Sequence, residues 1–414
     1  MLQRCFRRRR TVRRYAEGPA GPFLDGFAGA LLSESYSVKS CRSYLWTAAY
    51  LGTWASRRGI PLPALDEDGL ARFGGHLRRR QCQRERKRAG SGKAPYQAQR
   101  FLRYLREIGV AAGAPVPTRP ATVIEFEAWM RDRAGLAEGT ITATTRVIEI
   151  FLEEVGEKPT RLTAAAVRGF VLKFVSRRAP CSAGGVTGSV RRFLRFLVAQ
   201  GRCSADLLGA VPRIPSWRQT RLPKYLPREH VERLIAAGAS EHHRGTAWRN
   251  RAVLLLLARV GLRGHEVAGL RFGDIDWHRG RLRVLGKGRR EAWLPLPQDV
   301  GDAVLRHLKT RPPASTDQIF LSVRPPIRPL TPRGVRGVVQ CAIDRAGIQA
   351  PSRGSHILRH SLATGLLREG TTLDTIGAVL RHRSLDITGL YAKVDVEALR
   401  QVAQPWPGTE VSSC

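Results

Sequence analysis

The chain has 414 residues, 43% of them hydrophobic, enough for about two or three domains with packed cores and too many for a disordered polymer. Its 70 Lys and Arg against 34 Asp and Glu leave a net charge of +36 and an isoelectric point of about 11.4. That surplus favours a polyanionic partner, with nucleic acid first, and speaks against an acidic small-molecule enzyme or a neutral structural protein.

Residues 1–19 carry Arg4, Arg7, Arg8, Arg9, Arg10, Arg13 and Arg14 with no apolar run after them. They read as a basic arm and not as a signal peptide. From 20 to 112 the apolar residues fall at helical spacing: Phe23, Phe27, Leu31 and Leu32, then Tyr44, Leu45, Ala48, Leu51, Trp54 and Ala55. The very basic run from Arg78 to Lys93, with Gly90 and Gly92, is expected to be a mobile loop with a phosphate-seeking surface. Residues 113–212 repeat the helical theme through Phe126, Met130, Ile141, Val147, Ile148, Phe151 and Leu152, broken near Gly156 and Pro159. The string from Arg100 to Leu105 echoes Arg192 to Leu197, so the two segments read as related helical modules in tandem. Pro212, Pro215, Pro223 and Pro227 mark a linker over 213–225.

From 226 to 405 the pattern is mixed, and 406–414 are a tail. Arg249 to Val260 predicts a buried helix ended by Gly261. Arg281 to Leu285 and Ala292 to Leu296 predict two short strands, joined by a turn at Gly286-Lys287-Gly288. Helices are expected again over Pro297–Lys309, Thr331–Ala346, His356–Glu369 and Thr372–Leu380. Val394, Val396, Leu399 and Val402 predict a short amphipathic helix before Pro405, which packs either in cis or on a neighbouring copy.

The longest apolar run, Ala252 to Ala258, has seven residues against the roughly 20 of a membrane span. Seven scattered cysteines without a C-x-x-C pair support neither a zinc ribbon nor a disulfide framework, and a reducing, cytoplasmic setting is expected.

The chemistry is concentrated in the last third. H-x-x-R occurs at His76, His230, His278 and His356, so at any one place it means little in so basic a chain. Order and neighbours carry the information. Val260-Gly261-Leu262-Arg263-Gly264-His265-Glu266-Val267 comes first, followed by Asp274-Ile275-Asp276. Then come Lys287 in its glycine turn, His356-Ile357-Leu358-Arg359-His360, Leu380-Arg381-His382 and Tyr391.

In this order and spacing the set resembles the tyrosine recombinase family, the phage-integrase type of DNA breaking and joining enzymes. The resemblance is good over 226–395 and weaker over the preceding helical module. It implies a mostly α fold with a small antiparallel β-sheet in a C-terminal catalytic domain (226–405), behind helical, SAM-like DNA-binding modules at 20–112 and 113–212. It also implies double-stranded DNA as partner, a tetramer holding two DNA sites, strand exchange through a Holliday junction, and a nucleoid-associated location. Partner recombinases or an accessory DNA-bending protein are further partners it leaves open. A mobile genetic element is the implied source. Two rival readings share the fold: a catalytically silent accessory DNA-binding protein, and a DNA-relaxing type IB topoisomerase-like enzyme.

The residues suit that chemistry. Breaking a phosphodiester takes an in-line nucleophile, charge stabilisation on the non-bridging oxygens and a proton for the leaving oxygen. Arg263 and Arg359 each offer bidentate donors to a phosphate, with Glu266 either supporting Arg263 or merely pairing with it. Lys287 is the expected general acid, His382 a phosphate donor, His356 an acceptor for the phenolic proton and Tyr391 the nucleophile. His265 and His360 read as neighbours of these groups. No cofactor or metal is called for, since two guanidiniums take the place of a cation. Arg381 stands where the family usually has glycine, so either His382 sits differently or Arg381 adds a phosphate contact.

Overall fold

Leu2, Cys5 and Tyr15 decide the fate of the arginine-rich N-terminus. In a computed structural model of the chain, α1 (Leu2–Cys5) and α2 (Arg9–Ala16) bury these three side chains in the first helical core. The expected free arm at 1–19 is therefore a folded cap: its arginines line the outer face while the few apolar residues between them point inward. Residues 1–81, 93–113, 119–176, 180–213, 222–239, 244–286, 291–382 and 384–393 are described.

The chain forms two units, Pro115–Thr220 as one and Met1–Ala114 with Arg221–Cys414 as the other. The first module continues with α3 (Gly21–Ser33), α4 (Val38–Ser56), α5 (Glu67–Gln81) and α6 (Ala94–Glu107). Ser37 caps α4 by accepting from the Ser40 N–H at 3.2 Å. Phe27, Leu45, Leu51, Phe73, Phe101 and Leu105 are fully buried between the four helices. The predicted loop over Arg78–Lys93 begins later than expected, because α5 runs on to Gln81 through good helix formers. Its remainder, 82–92, lies outside the described residues.

The Pro115–Thr220 unit has α7 (Ala121–Asp132), α8 (Glu138–Val155), α9 (Ala164–Ser176) and α10 (Pro180–Ala199) around Phe126, Ile148, Phe151, Phe193 and Leu197. The element order matches α3 to α6, including a short 3-10 turn after the second helix in each set, at Leu62–Ala64 and Pro159–Arg161.

In the third segment α11 (Arg228–Gly238) leads to α12 (Arg244–Ala258), apolar on every face over its last two turns and so buried on every face. Burying a Leu or Val of this kind stabilises by roughly 1.5–3 kcal/mol. Gly261 follows at φ +66°, where a Cβ would also meet Leu380 and Leu362. Then come α13 (Gly264–Gly269) and a three-stranded antiparallel sheet of β1 (Ile275–Asp276), β2 (Arg281–Leu285) and β3 (Glu291–Pro295). Leu282 pairs with Leu294 and Val284 with Ala292, so the apolar residues of β2 alternate into the core. The helices α14 (Gln298–Thr310), α15 (Pro332–Ala346), α16 (His356–Arg368), α17 (Leu373–Leu380) and α18 (Leu385–Ala392) complete the fold. Ala363, Ile376, Leu380 and Tyr391 form a small second core where α16, α17 and α18 meet. Among the described residues no helix is long and apolar enough to cross a membrane.

Candidate active site

Four short stretches converge beside that second core. Arg263 is the N-cap of α13, and Glu266, three residues on, accepts from its main-chain N–H at 2.7 Å and from its Nη1 at 3.0 Å. Arg359 lies on the buried face of α16, with His356 one turn before it and His360 directly after it. Arg381 and His382 follow α17, and Tyr391 ends α18.

The guanidiniums stitch these stretches together. Arg359 donates from Nη1 to the Gly261 carbonyl and from Nη2 to the Leu380 carbonyl, which leaves three of its five N–H donors. Arg263 reaches the Arg381 carbonyl with Nη2 at 3.5 Å. Arg381 donates from Nη2 to the second Glu266 oxygen at 2.9 Å, so one fully buried carboxylate holds two arginines. Arg381 does this from φ 54° and ψ 49°, a left-handed conformation that costs a non-glycine residue about 1 kcal/mol or more. His382 Nδ1 lies 2.8 Å from Thr388 Oγ1, and a side chain at Gly377 would crowd that hydroxyl.

Tyr391 is 2% exposed. Its phenol lies 2.8 Å from His360 Nδ1, and its ring is nearly parallel to that of His382, with centroids 6.1 Å apart. Burial pushes the phenol up to about 12, against the opposing pull of the Arg359 and Arg263 charges. Ionising it at pH 7 therefore costs about 7 kcal/mol. Burial also lowers His360, to about 4, helped by His356 and Arg359, and lowers His382, to about 4, helped by Arg359 and Arg263. Both rings are neutral at pH 7. His356, whose edge reaches solvent, is lowered by partial desolvation and by Arg359 and Arg263. Burial brings Arg359 down to about 10, with Arg263 and Arg381 adding repulsion, and it stays charged at neutral pH. Burial pushes the Glu266 carboxyl up, but the Arg263 N–H and the two guanidiniums outweigh it and keep the group below its ordinary range.

A family model described as Phage integrase family matches residues 224–398. An integrase/recombinase of Sinorhizobium fredii, y4rA, is 36% identical over 96% of this chain and 97% of its own length. The chain belongs to the phage integrase family, the tyrosine recombinases. A second integrase/recombinase of the same organism, y4rF, is 31% identical over 99% of this chain and 96% of its own. Among solved structures, a XerH site-specific recombinase bound to a difH substrate aligns with a TM-score of 0.53 at 17% identity, over 80% of this chain and 94% of that one. A lambda integrase dimer bound to a COC′ core site gives 0.53 at 16%, over 70% and 98%. At such identities these structures speak for the tyrosine recombinase fold alone.

Of the residues expected to carry the reaction, Arg263, Arg359, His382 and Tyr391 converge. His356 stands one turn along α16 from the phenol's partner. Lys287 and Gly288 lie outside the described residues, as does the expected helix from Val394 onward. Sequence reasoning took His360 for a neighbour of the reacting groups, and in the structure it is the side chain in contact with the Tyr391 phenol. Thr388 was not foreseen at all. The available signal for His360 was its place four residues after His356, on the same helical face.

Proposed function

We propose that this chain is a site-specific DNA recombinase that cleaves and rejoins duplex DNA through a 3′-phosphotyrosine on Tyr391. The phenol oxygen attacks a backbone phosphorus in line with the 5′ oxygen, and the bond to that oxygen breaks as the new one forms. The phenolic proton passes to Nδ1 of His360, which as the neutral Nε2–H tautomer has a free lone pair there. Arg263 and Arg359 hold the charge that develops on the non-bridging oxygens, with Glu266 fixing Arg263 in place. His382, oriented by Thr388, adds a donor. The departing 5′ oxygen takes a proton from Lys287, the cation its glycine turn was expected to present. The phosphotyrosine keeps the energy of the broken link. A 5′ hydroxyl from another strand therefore reverses the same steps without ATP.

The assembly we assign to this chemistry is four protomers on two DNA sites, in the service of a mobile genetic element. The observation that carries the reading is the phenol of Tyr391, set against a neutral histidine and within the field of two guanidiniums. The test is covalent capture. Target duplexes are selected from a randomised pool by binding, then nicked beside the cleavage point so that the released fragment diffuses away. Denaturing gels are expected to show a protein–DNA adduct with the wild type and none with Tyr391→Phe. Equal adduct from both removes Tyr391 as nucleophile, and none from either removes the cleavage reading.

A further inference from the structure

Arg381 is an outlier in three respects at once. It is one of two non-glycine residues with positive φ among the described residues, in a conformation glycine adopts freely. Its side chain is 14% exposed and sits beside two other guanidiniums, Arg263 and Arg359, whose charges oppose it. Of its three guanidinium nitrogens only Nη2 has a partner, Glu266, while Nε and Nη1 are buried with none.

A merely structural salt bridge accounts for this poorly. Glu266 is already held by Arg263 through its main-chain N–H and Nη1, so it does not need a second cation. Glycine at 381 would remove the left-handed strain, the like-charge repulsion and the two unsatisfied donors together. What the arginine adds is a guanidinium with one terminal nitrogen, Nη2, fixed on Glu266 and the other, Nη1, uncommitted, next to the residues proposed to hold a phosphate. A charged, uncommitted Nη1 of this kind is a strong donor to a phosphodiester oxygen.

We infer that Arg381 is a third phosphate-binding guanidinium, a catalytic residue whose Nη1 donates to a non-bridging oxygen of the scissile phosphate. This rests on the recombinase reading above. In the DNA-free protein both Tyr391 and the uncommitted edge of Arg381 are shut in, and they lie at the two ends of one short segment, 381–391. The proposal requires that the change which frees the Tyr391 phenol for DNA also uncovers Nη1 of Arg381.

The experiment is single-turnover cleavage of a selected, nicked duplex by wild type and Arg381→Gly. The scissile phosphate is normal in one substrate and carries a phosphorothioate of either stereochemistry in the other two. Sulfur is the poorer acceptor, so the isomer that places it against Arg381 has already lost the contact. The glycine variant is expected to slow cleavage of the normal duplex by about tenfold or more. It should slow one thio isomer clearly less than the other, with DNA binding little changed. No slowing, or the same slowing on all three substrates, overturns the inference and leaves Arg381 a structural residue. Arg381→Gln repeats the comparison should the glycine variant lose its cooperative melting transition. If the wild type itself forms no adduct, it is the recombinase reading that fails.

Discussion

Replacing His360 by glutamine removes the one side chain among the described residues in hydrogen-bond contact with the Tyr391 phenol while keeping a polar group of similar reach. The expected magnitude follows from the state of the phenol. Burial holds it at about 12, so free phenolate at pH 7 lies about 7 kcal/mol above the resting site. A base at 2.8 Å avoids most of that cost by taking the proton as the phosphorus–oxygen bond forms. Its loss is expected to slow single-turnover cleavage by about 10²–10⁴-fold. The pH profile gives the sharper readout. His360 serves as a base only while neutral; it titrates at about 4 in the free protein and higher beside a bound phosphate, so the wild type loses activity on the acid side and is nearly flat above about pH 7. His360→Gln has no such base and depends on preformed phenolate, so its rate should climb by about tenfold per pH unit between about pH 7 and 9. The assay is adduct formation on a nicked duplex across that range. A variant within threefold of wild type, or one with the wild-type profile, refutes His360 as the proton acceptor.

Three further outcomes are expected. Glu266→Gln leaves two guanidiniums facing a neutral amide in a buried site, and breaking a buried pair in this way costs about 3–5 kcal/mol. Thermal unfolding should show a large fall in midpoint, and an unchanged midpoint would mean that the two arginines are held otherwise. Gly261→Ala forces a side chain into left-handed backbone against Leu380 and Leu362, and chemical denaturation should show a loss of about 1–2 kcal/mol or more. His307 is buried, donates to the Ile319 carbonyl at 3.1 Å and is lowered by burial to about 4. Its folded form resists protonation, so its stabilising contribution is full above about pH 6.5 and is lost as pH falls toward 4, by about 2 kcal/mol between pH 7 and 5. His307→Gln should flatten that part of the stability curve, and an equally steep curve would count against the assignment.

Much of the catalytic segment was legible because its signals are local. The helix through Ala252–Ala258 is a continuous apolar run, and β2, whose residues alternate, is followed by Gly286-Lys287-Gly288 in the sequence. Arg263, Arg359, His382 and Tyr391 stand in a fixed order, and the fold brings that order to one place. What was not legible depends on partners distant in sequence. α18 contains Ile387, Thr388 and Gly389, poor helix formers, and holds because Tyr391 is buried against α16 and α17. The same packing sets the phenol on His360, which in sequence is only the neighbour of Arg359. β1 is two residues long, too short for any alternation to register. At the N-terminus the arginines of α2 mask the few apolar positions that fold it down, so composition suggested an arm where burial of Leu2 and Cys5 makes a cap.

The resting charges explain why so reactive an arrangement is stable without DNA. Arg263, Arg359 and Arg381 against Glu266 leave the site at 3 − 1 = +2, and burial, reinforced by that field, keeps His360 and His382 neutral. The same field favours phenolate, yet burial outweighs it and the Tyr391 phenol stays protonated. A phosphate entering the site changes both terms. Its negative charge raises the histidines from about 4 toward their ordinary range, making His360 a stronger proton acceptor, and it disfavours a free phenolate beside it. The proton must then leave in the same step in which the oxygen attacks. Base strength thus arises only when a phosphodiester is bound, and a site built this way reacts with a DNA backbone while leaving its own tyrosine inert toward water.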